Sequence, residues 1–184
     1  MRFERLAIPE VMLITPPRFE DSRGFFSETY TRSKFAEIGL DRDFIQDNQS
    51  RSHRGVVRGL HCQIGANAQG KLVRVLAGAI WDVAVDARRG SPSFGRHVAA
   101  TLSAANGAQL WIPAGFLHGF QALEPDTDVL YKVDAPYDRA AERGVAWDDP
   151  ALTLPWPLAA ELAIVSDKDR ALPVLAACEA WFHA

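Results

Sequence analysis

The chain has 184 residues, with 20 Lys and Arg against 23 Asp and Glu and a formal net charge of −3. That length suits one domain with a real core, read here as residues 1–184, and the near-neutral balance argues against a nucleic-acid surface or a polybasic membrane face. No stretch approaches the ~20 apolar residues that span a bilayer, the N-terminus lacks a signal-type apolar run, and Cys62 and Cys178 are far apart and match no metal spacing, so the expectation is a cytoplasmic protein with no nucleic-acid or membrane partner.

Short apolar runs separated by Gly, Pro, Asn and Asp recur along the chain, which predicts an all-β sandwich or barrel. Residues 11–15 read as a strand stopped by Pro16 and Pro17, and residues 25–30 as another after the turn 21–24. Residues 33–38 read as a short helix ended by Gly39. Strands follow at 44–46 and 56–63, with a polar loop at 47–55 between them. Residues 71–86 give the clearest β signal, broken by a tight turn at Gly78. In that run Val73, Val75, Trp81, Val83 and Val85 share one parity, and Arg74, Asp82 and Asp86 share the other. Residues 97–102, 109–112, 118–122 and 128–133 complete the strands. A helical segment is expected from Ser166 to about Phe182, with Ser166 and Asp169 at capping-box spacing and Pro173 near its start.

The chemistry concentrates between Arg58 and Arg74. Arg58, His61 and Lys71 fall on two adjacent predicted strands. A neutral imidazole can remove a proton at pH 7, an ammonium can stabilise the resulting oxyanion, and an arginine can hold a phosphate. Parity places Lys71 with Val73 and Val75, Tyr131 with Val129 and Val133, and His118 with Phe116 and Phe120. Three polar groups thus fall on apolar faces that a barrel would bring together. Arg58 and His61 have opposite parity, so both can serve one pocket only if Gly59 marks a bulge.

Plainer roles exist for several of these residues. Asp169 suits a helix cap, Arg23 a turn, Glu28 a solvated strand face and Tyr131 a core tyrosine. Lys71 could reach solvent at a strand end. His53 and His97 read as structural or surface residues, and the tryptophans at 111, 147, 156 and 181 as packing. A histidine pair with a nearby carboxylate would suggest a metal, but no second histidine follows His61 two residues on and His118 stands alone.

These stretches resemble the dTDP-4-dehydrorhamnose 3,5-epimerase family. The resemblance runs from about Leu13 to Pro173. It is carried by DSRGFFSE at 21–28, QDNQS at 46–50, VRGLHCQ at 57–63 and QGKLVRV at 69–75, then FGRH at 94–97, LWIPAGFLHGF at 110–120, LYK at 130–132 and SDKD at 166–169. It implies a cupin-type jelly-roll barrel with short peripheral helices. It also implies a homodimer that exchanges N-terminal strands, with no metal and no organic cofactor.

For individual residues the resemblance implies His61 as general base, Asp169 as its partner, Tyr131 as the acid on the opposite face and Lys71 as stabiliser of the enolate oxygen. It matches Arg23, Glu28, Gln46, Asn48, Arg58, His118, Glu142 and Lys168 to nucleotide- and sugar-binding positions, and Tyr137 to an aromatic that stacks on thymine. Pro136, Cys62 and Gln49 depart from common family residues. The implied reaction is inversion of C3 and C5 of dTDP-4-dehydro-6-deoxy-D-glucose to dTDP-4-dehydro-L-rhamnose. Rival readings are an epimerase acting at C3 or C5 alone, a non-catalytic sugar-nucleotide-binding cupin, and a metal-dependent cupin enzyme.

Overall fold

A computed structural model describes residues 1–183. In chain order its elements are β1 (Arg2–Arg5), β2 (Met12–Thr15), β3 (Phe19–Asp21), β4 (Gly24–Phe26), α1 (Arg32–Glu37), β5 (Gln46–Ser52), β6 (Val56–Gln63), β7 (Lys71–Ala77) and β8 (Ala79–Asp86). They continue with β9 (Arg88–Arg89), β10 (His97–Ser103), β11 (Gln109–Ile112), β12 (Phe116–Ala122), β13 (Thr127–Val133), β14 (Glu142–Gly144), β15 (Ile164–Val165), α2 (Asp167–Arg170) and β16 (Phe182–His183).

Two sheets form the body. One has the order β1-β2-β11-β7-β13-β5, the other β10-β8-β12-β6-β14 with β15 beside β6. Consecutive strands often sit in different sheets, as the chain of a jelly roll must. The interior between the sheets is apolar over most of its length. Val73, Val75, Leu110, Ile112 and Val129 from the first sheet meet Ile80, Ala84, Val98, Leu102, Phe116 and Phe120 from the second. Both outer faces carry a cover. Phe35 of α1 and Leu40 pack on Met12, Ile14, Leu72 and Trp111. Val145, Leu152 and Leu175 from the chain after β14 pack on Leu60, Trp81, Val83, Val85 and Leu117. Burial on both faces explains why every residue of β8 is buried.

Gly78, at a φ of 75°, is a corner. It carries the chain from β7 in one sheet to β8 in the other, and a side chain there would run into Thr127. This corner corrects the parity reading of residues 71–86. Val73 and Val75 face the interior, but on β8 the interior residues are Ile80 and Ala84, while Trp81, Val83 and Val85 face the outer cover. Asp82, between Ile80 and Ala84, therefore points inward with their parity.

Three other expectations change. Residues 47–55 are mostly strand, because β5 pairs along its whole length with β13. Its residues alternate half-buried and exposed without apolar content, so no hydrophobic period marked it. Residues 25–30 are not one strand. Gly24–Phe26 pairs back on Phe19–Asp21 as a short hairpin that leaves Phe19, Phe25 and Phe26 exposed. The expected C-terminal helix is a single turn, Asp167–Arg170. Pro173 accounts for this: it disfavours helical backbone at Leu172 and offers no N–H to continue the ladder. Ser166 does cap the turn, its Oγ accepting from Asp169 N at 3.1 Å.

Candidate active site

The interior of the barrel turns polar at one end, where β5, β6, β7, β12 and β13 surround a cavity of about 290 Å³. Arg58, His61, Lys71, His118, Tyr131, Lys168 and Asp169 all line it, with Ser50, Phe120 and Ser166. His61 and His118 come from the second sheet, and Lys71 and Tyr131 from the first. The imidazole of His61 and the phenol of Tyr131 thus approach one space from facing walls.

The expected irregularity at Gly59 is present and explains how Arg58 and His61 reach the same cavity. In the pairing of β12 with β6, His118 lies opposite His61 and Phe120 opposite Arg58. Two steps along one strand match three along the other, which is a bulge. Gly59 has a φ of 128°, and a Cβ there would sit 2.6 Å from Gly119 Cα. Glycine permits both the backbone angle and the close approach.

His61 Nε2 lies 2.7 Å from Asp169 Oδ1. An ionised carboxylate only accepts, so Nε2 carries a proton, and in the neutral tautomer that this bond selects the lone pair is on Nδ1. Asp169 is buried. Burial alone would raise its carboxyl, but the hydrogen bond and charge of His61, the Gly59 N–H and Lys168 together hold it below the usual carboxylate range. The capping geometry and the ion pair use different atoms of one residue: its backbone N–H meets Ser166 while its carboxylate meets His61.

Lys71 Nζ has no hydrogen-bond or ion-pair partner among the described residues. Burial pushes its ammonium down from the ordinary lysine value, opposed by the charges of Cys62, Asp82 and Glu142. Burial pushes the Tyr131 phenol up, with Arg58 opposing. The direction at Tyr131 suits a proton donor, whereas burial at Lys71 works against its charge, which the nearby Asp82 and Glu142 favour. A phenol held protonated can donate, and an ammonium without a partner can meet a developing oxyanion.

His118 is buried with Nε2 2.6 Å from Asp82 Oδ1. Burial lowers the proton affinity of its imidazole, and Asp82 opposes that. Asp82 is fully buried and its second oxygen has no partner. It is the site residue that the sequence reading missed. The available signal was a carboxylate amid an unbroken apolar strand, a placement that demands a partner.

An adjoining cavity of about 220 Å³ shares His61, Lys71 and Tyr131 and adds Gln46, Asn48, Tyr137 and Glu142. Gln46 Nε2 donates to Asn48 Oδ1 at 2.8 Å. Glu142 Oε2 accepts from Tyr137 OH at 3.1 Å and from Lys168 Nζ at 2.7 Å. The Tyr137 loop is pinned by Gln63, whose Nε2 donates to Pro136 O and whose Oε1 accepts from Asp138 N. Tyr137 itself is 54% exposed. Arg58 Nε donates to Ser52 Oγ at 3.1 Å, which fixes the guanidinium at the cavity edge.

Two expected residues lie elsewhere. Arg23 sits on the β3–β4 hairpin with its side chain 88% exposed and its guanidinium paired with Asp21 at 2.6 Å. Glu28 pairs with Lys34 at 2.5 Å and lines a separate groove with Met1 and Phe3. Neither touches the cavity of its own chain. Among the described residues, no group of three or more His, Cys, Asp or Glu side chains gathers as a metal site, and no helix is long and apolar enough to cross a membrane.

The family model for dTDP-4-dehydrorhamnose 3,5-epimerase matches residues 5–177. The chain belongs to the dTDP-4-dehydrorhamnose 3,5-epimerase family. A relative of that description from Sinorhizobium fredii is 51% identical over 180 residues, covering 97% of this chain and 91% of its own. Another from Pseudomonas aeruginosa is 52% identical over 171 residues, covering 92% and 93%. The crystal structure of a dTDP-6-deoxy-D-glucose-3,5-epimerase from Legionella pneumophila, in complex with dTDP-4-keto-L-rhamnose, superposes with a TM-score of 0.95 at 42% identity. That match covers 100% of this chain and 98% of the other. A cupin-type jelly roll is therefore the fold, as the resemblance implied.

Proposed function

We infer that the chain is an isomerase that inverts C3 and C5 of dTDP-4-dehydro-6-deoxy-D-glucose, giving dTDP-4-dehydro-L-rhamnose. One observation carries the assignment of roles: the His61–Asp169 pair, Lys71 and Tyr131 line a single cavity, with base and phenol on facing sheets. A hydrogen next to a ketone is acidic because the carbanion delocalises onto the carbonyl oxygen. The C4 ketone lies between C3 and C5, so one oxyanion site serves both carbons. His61 Nδ1 takes the proton, Asp169 steadies the imidazolium, and the Lys71 ammonium meets the enolate oxygen. Tyr131 then gives a proton from the other face, which is what converts exchange into inversion. Arg58, His118 and Lys168 supply donors for the diphosphate and sugar, while Gln46, Asn48, Tyr137 and Glu142 receive the nucleotide.

The same reading includes a homodimer with exchanged N-terminal strands in the cytoplasm. Its support is the exposed hairpin, where Phe19, Phe25 and Phe26 are 59%, 59% and 65% exposed beside a solvent-facing Arg23. Apolar rings so exposed need a cover, and Arg23 would meet substrate only in a second copy's cavity. Turnover of dTDP-4-dehydro-6-deoxy-D-glucose in D₂O, read by NMR, tests the reaction. Deuterium at both C3 and C5 of a rhamno-configured product supports it, and label at one carbon alone assigns a mono-epimerase instead. Mixing Arg23→Ala with His61→Asn tests the exchange: activity regained in the mixture supports a shared site, and additive inactivity contradicts it.

A further inference from the structure

Asp82 has no task in the proposed reaction, yet its placement is costly. It sits on β8 between Ile80 and Ala84, fully buried on the inward face. In the β12–β8 register His118 lies opposite Ala84 and Phe120 opposite Asp82, so Asp82 is the diagonal neighbour of His118. Its Oδ1 lies 2.6 Å from His118 Nε2, and its Oδ2 has no partner. A buried carboxylate keeps its charge only where cations or strong donors stand near. Lys71 has the matching need. It lines the same cavity as His118, and its Nζ has no hydrogen-bond or ion-pair partner among the described residues. The charge of Asp82 favours that ammonium without an ion-pair contact between the two. The missing contact matters, because an ammonium tied to a carboxylate is not free to meet an enolate oxygen.

We propose that Asp82 is a positioning residue for the epimerisation: it fixes the His118 imidazole and supplies the negative charge that keeps the Lys71 side chain an ammonium. The other groups around Lys71 are matched already or carry no negative charge. Glu142 on β14 also favours the ammonium, but Lys168 Nζ meets its carboxylate at 2.7 Å. Asp169 on α2 meets His61 of β6 at 2.7 Å. Cys62, also on β6, is a neutral thiol that burial pushes up to about 12. Burial likewise pushes up the Tyr131 phenol on β13. Arg58 and Lys168 are cations on the same cavity and oppose a further positive charge. His118 on β12 gives Asp82 a hydrogen bond, but burial works against a charge on its imidazole, so the negative charge of the pair is left to Lys71.

The proposal rests on the epimerase reading, and its test includes a measurement that needs no turnover. Asp82→Asn keeps the shape and an oxygen for His118 but removes the charge. The alkaline limb of kcat should move about one pH unit lower, the low end of what a nearby opposite charge produces, so that on this limb kcat falls about tenfold at fixed pH. Isotope-labelled lysine NMR, with the signal assigned by its loss in Lys71→Met, should show the wild-type Lys71 still charged at about pH 7 and titrating lower in Asp82→Asn. A limb and a titration that stay in place in the folded variant overturn the proposal, even where kcat falls, because that loss would be one of packing alone. If the variant does not fold, the wild-type titration decides: a charged Lys71 supports the proposal and a neutral one overturns it. Wild-type protein inert toward dTDP-4-dehydro-6-deoxy-D-glucose defeats the epimerase reading instead, and the Asp82–Lys71 pairing is then judged by the titration.

Discussion

Replacing Asp169 with Asn tests how much of the base's strength is borrowed. The carboxylate is buried and accepts from His61 Nε2 at 2.7 Å, a charge-assisted bond at short range. Asparagine keeps the shape and the backbone N–H that Ser166 caps. What it removes is the negative charge that balances the imidazolium formed when His61 takes a proton. Hydrogen bonds to charged groups are worth about 1.5–3 kcal/mol, so kcat should fall roughly 10- to 150-fold at 1.4 kcal/mol per tenfold. Binding of dTDP should be unaffected, because Asp169 touches the reacting end of the cavity and not the Tyr137 end. The assay is steady-state turnover alongside dTDP titration. Wild-type kcat in the Asp169→Asn enzyme would mean that the base needs no counter-charge, contrary to the assigned role of Asp169.

Three further outcomes follow from the same geometry. Burial lowers the Lys71 ammonium from its ordinary value while the Tyr131 phenol is pushed up. As pH rises through the lowered lysine value the oxyanion loses its positive partner, so the alkaline limb of kcat should belong to Lys71. Lys71→Met should remove that limb and cost about 3–4 kcal/mol, or 10²–10³ in kcat; a limb that persists in the variant would contradict the assignment. Tyr131→Phe should keep solvent exchange at the carbons next to the ketone but lose net inversion, so full epimerisation by this variant removes the phenol from the mechanism. Gly59→Ala should destabilise the fold by about 2–4 kcal/mol, because its backbone sits at φ 128° and the new Cβ meets Gly119 and the His118 carbonyl. Chemical denaturation reads this directly, and a midpoint equal to wild type would mean the bulge tolerates a side chain.

Much of the site was legible because its residues break local patterns. Lys71 interrupts an apolar face, and Gly59 separates Arg58 from His61 in a way that only a bulge reconciles. Both signals are local, and both held. Asp82 is equally anomalous, but a single parity extended across Gly78 treats the two strands as members of one sheet. The corner sends them to opposite sheets, so the inward set on β8 is the one containing Asp82. Strand β5 was hidden for a physical reason: it faces a polar cavity on one side and solvent on the other, so neither side needs apolar residues. The capping-box spacing at Ser166 suggested a helix to about Phe182, yet the segment after Pro173 serves as a cover whose Leu175 packs on the second sheet. Pro173 stops the helix, and packing then fixes the course of the chain beyond it. Arg23 and Glu28 were expected at the site only from the resemblance, and the structure pairs them with Asp21 and Lys34 away from the cavity.

In the proposed reaction one imidazole, His61, removes the protons at both carbons flanking the ketone. Incubating the His61→Asn protein with dTDP-4-dehydro-6-deoxy-D-glucose in D₂O and following C3 and C5 by NMR measures it directly. No deuterium should appear at either carbon above the uncatalysed background, in a folded protein that still binds dTDP. Enzyme-dependent label at either position would contradict it.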